Sequence, residues 1–453
     1  MAPANPSALA RPSASLGVEM RLQWGLAWPV ALGQMAIVSM YLTDNVMVGH
    51  VGKVEMAGVA TGGWWFFSVY APLLGLLRAL DPMVSQAVGA GDEGAAGRAL
   101  ARGAVLAMLA SAFAAVCIAF TGPAMRALGQ PAEVIPVAVT YCTMLVPGLP
   151  GAFGFFLLRT WLQARGEMRA GNVAIVLANV LNLLLDWVFI YGHMGMPAMG
   201  GAGAGVATSI GNWFQLALCA GLSFQHWRPA VAYLREALAW SSWSRLLPLG
   251  VPLALQSGTE IWAFSLAGWM CGWAGPAGLA AHLIAISLSS LSFNIAVGFS
   301  TAAATRVGQL IGAGYGFGRT ALAAHLWGLL VMSFFALCLA LFPGDLARIY
   351  VDDPEVITIA AQLLPLAAAF QLFDGTQVVA FGILRGAVDV RMPTLANLAG
   401  FWLFGLPLGA WLLLEKGMGA QGVWIGLAAG LGAVAIMLAL RVRWTVGRGG
   451  FRV

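Results

Sequence analysis

The sequence predicts an all-α polytopic membrane protein of twelve transmembrane helices in two pseudo-symmetric six-helix lobes. Three observations lead there: the composition, the spacing of the apolar runs, and an internal repeat. Of 453 residues, 60% are hydrophobic and only 9% are charged, with a mean hydropathy of +0.84. Soluble domains carry about 25% charged residues, so a water-soluble fold is excluded. A bilayer span takes roughly 20 apolar residues, and a chain of this length accommodates about twelve spans with short loops and no large domain outside the membrane.

Apolar runs bounded by Gly, Pro and charge clusters place the first six helices near 22–50, 55–83, 99–123, 134–160, 171–192 and 203–225. The second six fall near 247–272, 276–302, 319–342, 356–384, 393–414 and 420–441. The corresponding organisation is a flexible cytoplasmic tail (1–20), an N-lobe (21–228), a cytoplasmic linker (229–246), a C-lobe (247–441) and a basic cytoplasmic tail (442–453). The opening stretch, rich in Ala, Pro and Ser, has no apolar core ahead of a cleavage site and is not expected to act as a signal peptide. Five cysteines lie singly in apolar runs without ligand-like spacing, so they are expected to pack as small hydrophobes, with no metal and no disulfide.

Orientation follows from the basic residues, which are 21 Arg and two Lys. With the N terminus in the cytoplasm, 18 of them fall in inside segments and 4 outside, namely Lys53, Arg126, Arg348 and Lys416. That bias predicts both termini in the cytoplasm, and it explains the net charge of +5 as topology rather than nucleic-acid binding. The short loops suit the inner membrane of a bacterial cell.

The chain also repeats itself. Val84 to Gly91 reads VSQAVGAG, and 223 residues later Val307 to Gly314 reads VGQLIGAG. Pro29, in PVALGQ, matches Pro252, in PLALQ, at the same offset. Six helices per half is an even number, so the halves run in the same direction as a parallel repeat, a plan common among secondary transporters. The alternating glycines of GAGYGFG (312–318) are matched by Gly89 and Gly91 in the first half. No strand pattern precedes either run, so both read as cytoplasmic turns and not as phosphate-binding loops.

A charged side chain at mid-bilayer depth costs about 2.5–3.5 kcal/mol even on the most lenient scale, so the few that occur there carry the information. They are Asp44, Asp186, Glu260 and Asp374, with Arg78 and Asp81 placed three apart to neutralise each other. The four acids have no helical neighbour of opposite charge. Each is expected to hold a proton, bind a cation or face water. Asn182 lies one turn before Asp186, Gln34 stands about three turns before Asp44, and Thr208 completes a possible polar cluster in the first half. In the second half Gln256 lies one turn before Glu260 and could join Glu260 and Asp374. His282 reads equally as a packing or a titrating residue. Neutral when protonated and cation-attracting when ionised, a buried carboxyl exchanges protons or Na⁺ for a cationic substrate by competition.

These residues stand in runs that resemble the MATE family, the multidrug and toxic compound extrusion transporters: YLTDNVMVGHVGKVEMAGVA around Asp44, ARGEMRAGN leading to NLLLDWVFIYG around Asp186, and AAFQLFDGTQVVAFGILRGAVDVRMPTLAN around Asp374. The similarity extends over about residues 20–440. It implies a twelve-helix, two-lobe antiporter that expels organic cations in exchange for H⁺ or Na⁺, with no cofactor and no enzymatic activity. Asp44 falls on the family's first-helix aspartate, and Pro29 on the proline where that helix bends in some members. Glu260 and Asp374 resemble the acidic pair of the NorM-like branch, where Na⁺ could bind. Asn182 and Asp186 resemble the first-lobe proton site of another branch. Phe370, one turn before Asp374, replaces a tyrosine of some sodium-coupled members; it keeps a ring face but loses the hydroxyl, which favours protons.

The resemblance implies partners of two kinds, organic cations and the lipid bilayer, with the chain acting as a monomer. A lipid-linked precursor flippase is an alternative of the same superfamily, but it calls for basic residues in its cavity, where this chain places acids. An antiporter-like subunit of a proton pump needs buried lysines, and both lysines here fall in loops. No nucleophile and base are clustered as an enzyme would require.

Overall fold

The computed structural model describes residues 11–239, 243–244 and 246–450, and the expected first ten residues of the tail therefore lie outside it. Twelve long helical segments follow in order. The first six are α1 (Leu16–Gly49), α2 (Lys53–Gly89), α3 (Glu93–Ala119), α4 (Val134–Ala164), α5 (Arg169–Tyr191) and α6 (Gly201–Leu222). The second six are α7 (Leu247–Trp273), α8 (Pro276–Gly312), α9 (Gly318–Leu341), α10 (Pro354–Gly386), α11 (Arg391–Leu414) and α12 (Gly419–Gly447). Ten are long and apolar enough to cross a membrane, and α6 and α7 complete the set at the places the repeat requires.

Local chemistry sets the boundaries. Asp92 caps α3 by accepting from the Ala95 amide at 2.8 Å, and Asp353 caps α10 by accepting from the Glu355 amide at 2.9 Å, with Pro354 at the first helical position. The segment α2 breaks at Arg78 and Ala79 into Lys53–Leu77 and Leu80–Gly89. A 3₁₀ turn, Val146–Gly148, interrupts α4 beside Pro147 and Pro150, neither of which can donate to a helical carbonyl. In α11 a π-helical stretch, Ala399–Gly405, precedes Pro407, whose missing N–H frees the carbonyl four residues earlier.

Two differences from expectation share one cause. The first helix starts at Leu16 rather than near 22, and α8 runs to Gly312 rather than near 302. Residues 11–20 are accordingly not a loose tail. Glu19 in this stretch and Arg306 in α8 bury each other instead of facing water: Glu19 is 1% exposed and Arg306 is fully buried.

Contacts divide the chain into two packing units. One runs from Leu32 to Ala254, and the other joins the start of α1, through Ala31, to Leu255 and everything after it. The division therefore falls inside α1 and α7, two residues past Pro29 and two residues past Pro252, and not in the linker. In the first unit α6 packs on α5 and on both parts of α4. Close approach is possible because Gly148 and Gly151 face the α6 backbone at Ser209 and at Asn212–Trp213. In the second unit α10 is central, packed by α8, α9 and α12, so its polar residues Gln371, Asp374 and Gln377 are all buried.

Small residues also hold α11 to α12, as expected where apolar lipid supplies no hydrophobic drive for association. A Cβ at Gly426 would lie 2.5 Å from the Gly405 carbonyl oxygen and 2.5 Å from the Gly409 Cα. Gly426→Ala is expected to cost about 1–3 kcal/mol through overpacking. Unfolding of the purified variant in SDS should shift to lower denaturant, and an unshifted curve would contradict this close contact.

Candidate functional site

The first cluster forms in the Leu32–Ala254 unit, from three helices. Asp44 comes from the C-terminal half of α1, Asn182 and Asp186 from one face of α5, and Thr208 from α6. All three acid and amide side chains are buried, with Asp186 fully so. The Thr208 hydroxyl donates to Asp44 Oδ2 at 3.0 Å. With its amide nitrogen turned to the acids, Asn182 donates to Asp44 Oδ1 at 3.0 Å and to Asp186 Oδ2 at 3.1 Å. Asp44 and Asp186 both accept from the Asn182 amide and lie within each other's electrostatic field. Two carboxylates only accept, so the amide bridge leaves their mutual repulsion in place, and a proton on one of them removes it. No ion pair engages Asp44 or Asp186 among the described residues.

The sequence placed Asp44, Asn182, Asp186 and Thr208 together, and the structure brings those four into contact. Gln34 does not join them: ten residues of helix separate it from Asp44, about 15 Å of axial rise, so a shared side of the helix is not a shared depth. Tyr141, which sequence reasoning missed, is a buried α4 side chain in the electrostatic field of both acids. Its one signal in the sequence was a phenol hydroxyl inside the apolar run of α4.

The second cluster forms in the other unit, from α7 and α10. Asp374 is buried and Glu260 half-buried, close enough for their charges to interact. Gln377, one turn beyond Asp374, donates to Glu260 Oε1 at 3.5 Å, a long hydrogen bond. Gln371 is buried one turn before Asp374 and accepts from the Ser292 hydroxyl at 2.6 Å. Both glutamines lie three residues from Asp374, a spacing that was available in the sequence and was not used. Gln256 is buried one turn before Glu260, but the amide that reaches Glu260 is that of Gln377.

Two expected members of this cluster do other work. Phe370 is 3% exposed and forms T-shaped ring contacts with Phe264 at 5.9 Å and Trp424 at 5.7 Å, so it is part of an aromatic packing cluster. His282 is buried on α8 with its ring 5.9 Å from Trp424, which makes it a member of the same aromatic core. Pro29 lies within α1, which continues as a helix on both sides of it.

The two acid sites are not repeat images. Asp44 stands fifteen residues past Pro29 and Glu260 eight past Pro252. Seven residues correspond to about 10 Å along a helix, so the acids occupy different depths in their own units.

Comparison with known proteins accords with this arrangement. The family model described as MatE matches twice, over residues 29–188 and 252–411, at the same offset of 223 that separates the repeated motifs. A probable multidrug resistance protein, NorM, of Mesorhizobium japonicum is 32% identical over 437 residues, covering 93% of each chain. The multidrug resistance protein MdtK of Edwardsiella ictaluri is 32% identical over 448 residues, covering 94% of this chain and 95% of its own. Among solved structures, an outward-facing multidrug resistance MATE family transporter superposes with a TM-score of 0.87 at 18% identity, covering 99% of both chains. The eukaryotic MATE transporter AtDTX14 superposes with a TM-score of 0.85 at 21% identity, covering 96% of this chain and 99% of its own.

Proposed function

The chain belongs to the MatE family of membrane transporters, and on that premise we propose that it is a secondary antiporter exporting organic cations in exchange for protons. It is a multi-pass membrane protein and not an enzyme. The observation that carries the reading is the Asp44–Asp186 pair, buried, bridged by the Asn182 amide and without a basic partner among the described residues. Such a pair holds one proton and one negative charge. Loss of the proton would leave two adjacent charges in a poorly solvated place, so a second cation has to replace it. Proton and organic cation thereby compete for one site, and competition becomes transport when access alternates between the two sides of the membrane. Each charge moved across 100 mV contributes about 2.3 kcal/mol, enough to sustain a substantial gradient of the exported compound.

In this reading the protein works as a monomer in the bacterial inner membrane with both termini in the cytoplasm. The printed names of the NorM and MdtK relatives, both multidrug resistance proteins, support efflux of drug-like compounds as the direction of transport. Protons are favoured over Na⁺. Phe370 brings no phenolic hydroxyl to the Glu260–Asp374 pair, and its ring is buried against Phe264 and Trp424.

The experiment uses everted membrane vesicles energised to an acid interior and given a fluorescent organic cation. Accumulation inside the vesicles is the expected result, and its absence would remove the antiport reading. Replacing NaCl by choline chloride tests the coupling ion. Uptake should persist undiminished, whereas collapse of uptake without sodium would transfer the coupling role to Glu260 and Asp374.

A further inference from the structure

The segment between α6 and α7 is built as a short run of helical turns: Phe224–Trp227, a 3₁₀ stretch Arg228–Tyr233, and Leu234–Ala237. Its two sides differ. One side docks on α3. Ala230 and Ala237 are buried, and the Tyr233 ring sits 2.9 Å from where a Cβ on Gly97 would stand, so it packs directly against the α3 backbone. The Arg98 guanidinium lies over the Tyr233 ring at 5.5 Å, and Arg102 pairs with Glu236 at 3.3 Å. His226 is held by Glu167 at 3.0 Å.

The other side has no such partners. Phe224 is 48% exposed, Val231 49%, Leu234 38% and Leu238 68%, an apolar stripe of exposed side chains spaced seven, three and four residues apart. Beside it stand Arg228 and Arg235, both exposed and in no ion pair among the described residues. Arg228 reaches over the Phe224 ring at 5.8 Å, and an open depression of about 430 Å³ lies between Phe224, Arg228, Pro229 and Ala232. The segment is tethered at its ends by α6 and α7, the sixth and seventh of the twelve long helices.

We propose that this linker is an interfacial anchor: its apolar stripe enters the head-group boundary of the adjacent leaflet, while Arg228 and Arg235 bind the phosphates of anionic phospholipids. An apolar face bordered by arginines is the combination that lies in the plane of an anionic bilayer surface, with apolar side chains reaching about 5–10 Å into it. The docked side explains why the segment presents that face constantly. Tyr233, Ala230 and Ala237 fix its rotation against α3, so the stripe cannot turn toward the protein. The leaflet concerned is the cytoplasmic one if the arginine bias in the loops sets the topology.

The test uses the full-length chain in nanodiscs of phosphatidylcholine alone or mixed with phosphatidylglycerol. The five native cysteines are replaced by alanine, a single cysteine is introduced by Leu238→Cys or Val231→Cys, and each is labelled with an environment-sensitive fluorophore. Asp352→Cys, in an exposed loop, serves as the water-facing reference. Both linker labels should emit to the blue of the reference and be quenched several-fold more by lipid carrying a nitroxide near the head group than by lipid carrying it near the chain end. Adding phosphatidylglycerol should strengthen the quenching, and Arg228→Gln with Arg235→Gln should abolish that increment and not the quenching in phosphatidylcholine. Water-like emission without quenching overturns the proposal. Blue emission that lipid nitroxides do not quench means that a second copy covers the stripe, and it overturns the proposal equally. Equal quenching in both disc types overturns the role of the arginines.

Discussion

Asp44→Asn is expected to reduce proton-driven uptake of a fluorescent cation to the level of vesicles lacking the protein. Asparagine nearly matches aspartate in volume and still offers an oxygen to the Thr208 hydroxyl, which donates at 3.0 Å in the native protein, so the packing of α1, α5 and α6 survives. What disappears is the second carboxyl. With one carboxyl left, the mutual repulsion that favours a shared proton is gone, and with it the competition of proton and organic cation for the pair. Asp186→Asn should act in the same way from the other helix. Thr208→Val is a graded control. It removes one hydrogen bond to a carboxyl, worth about 1.5–3 kcal/mol when the acceptor is charged, and should weaken transport without abolishing it. Measured side by side with SDS unfolding, this series separates loss of coupling from loss of fold. Native-level uptake by Asp44→Asn would remove the first cluster as the coupling site.

The second large effect is structural. Glu19→Ala should destabilise the protein by about 3–5 kcal/mol, the cost of leaving a buried charge without its partner. Arg306 is fully buried at the end of α8, with Nε donating to Glu19 Oε1 at 3.1 Å and Nη2 to Glu19 Oε2 at 3.2 Å. The surrounding groups complete the network: the Thr320 hydroxyl donates to Glu19 at 2.8 Å, the Ser13 hydroxyl also donates to Glu19, and Arg306 Nη2 donates to the Arg11 carbonyl at 2.7 Å. Nearby, the Gln23 amide donates to the Thr320 carbonyl at 2.7 Å, and Trp327 Nε1 donates to the Met20 carbonyl at 3.0 Å. All these partners belong to the packing unit that contains the start of α1. The double variant Glu19→Ala with Arg306→Met removes both charges and should recover much of the loss, because an apolar side chain fills the space without an unmatched guanidinium. SDS unfolding of the single and double variants decides the matter. A single variant as stable as the native protein would mean that water reaches Arg306 and the burial argument fails.

Both predictions bear on what could be read in advance. The helices were legible because lipid imposes one rule on every span: a long apolar run with its polar groups satisfied inside the helix. The expected ends near 134, 171, 247 and 276 lie within two residues of the observed starts of α4, α5, α7 and α8. The errors were larger where polar residues are buried by partners instead of exposed in loops, as at the start of α1 and the end of α8. Glu19 and Arg306 are separated by 287 positions, and no local pattern joins them.

Taken alone, the sequence determined the class of protein, the number of long helices, the repeat, and which acids fall inside the apolar spans. Each of these follows from the cost of placing a charge or an unpaired polar group in hydrocarbon, which is a property of a residue and its immediate neighbours. The four-residue step from Asn182 to Asp186 belongs to the same kind of knowledge, since it is fixed by the pitch of a single helix. Only the tertiary structure decided which acids meet. It joined Asp44 to Asp186 and Thr208 but left Gln34 out, gave Glu260 the amide of Gln377 instead of that of Gln256, and turned Phe370 and His282 into aromatic packing. Those outcomes depend on the depth and rotation of one helix against another, which are set by the close contact of glycines and the fit of side chains from distant parts of the chain.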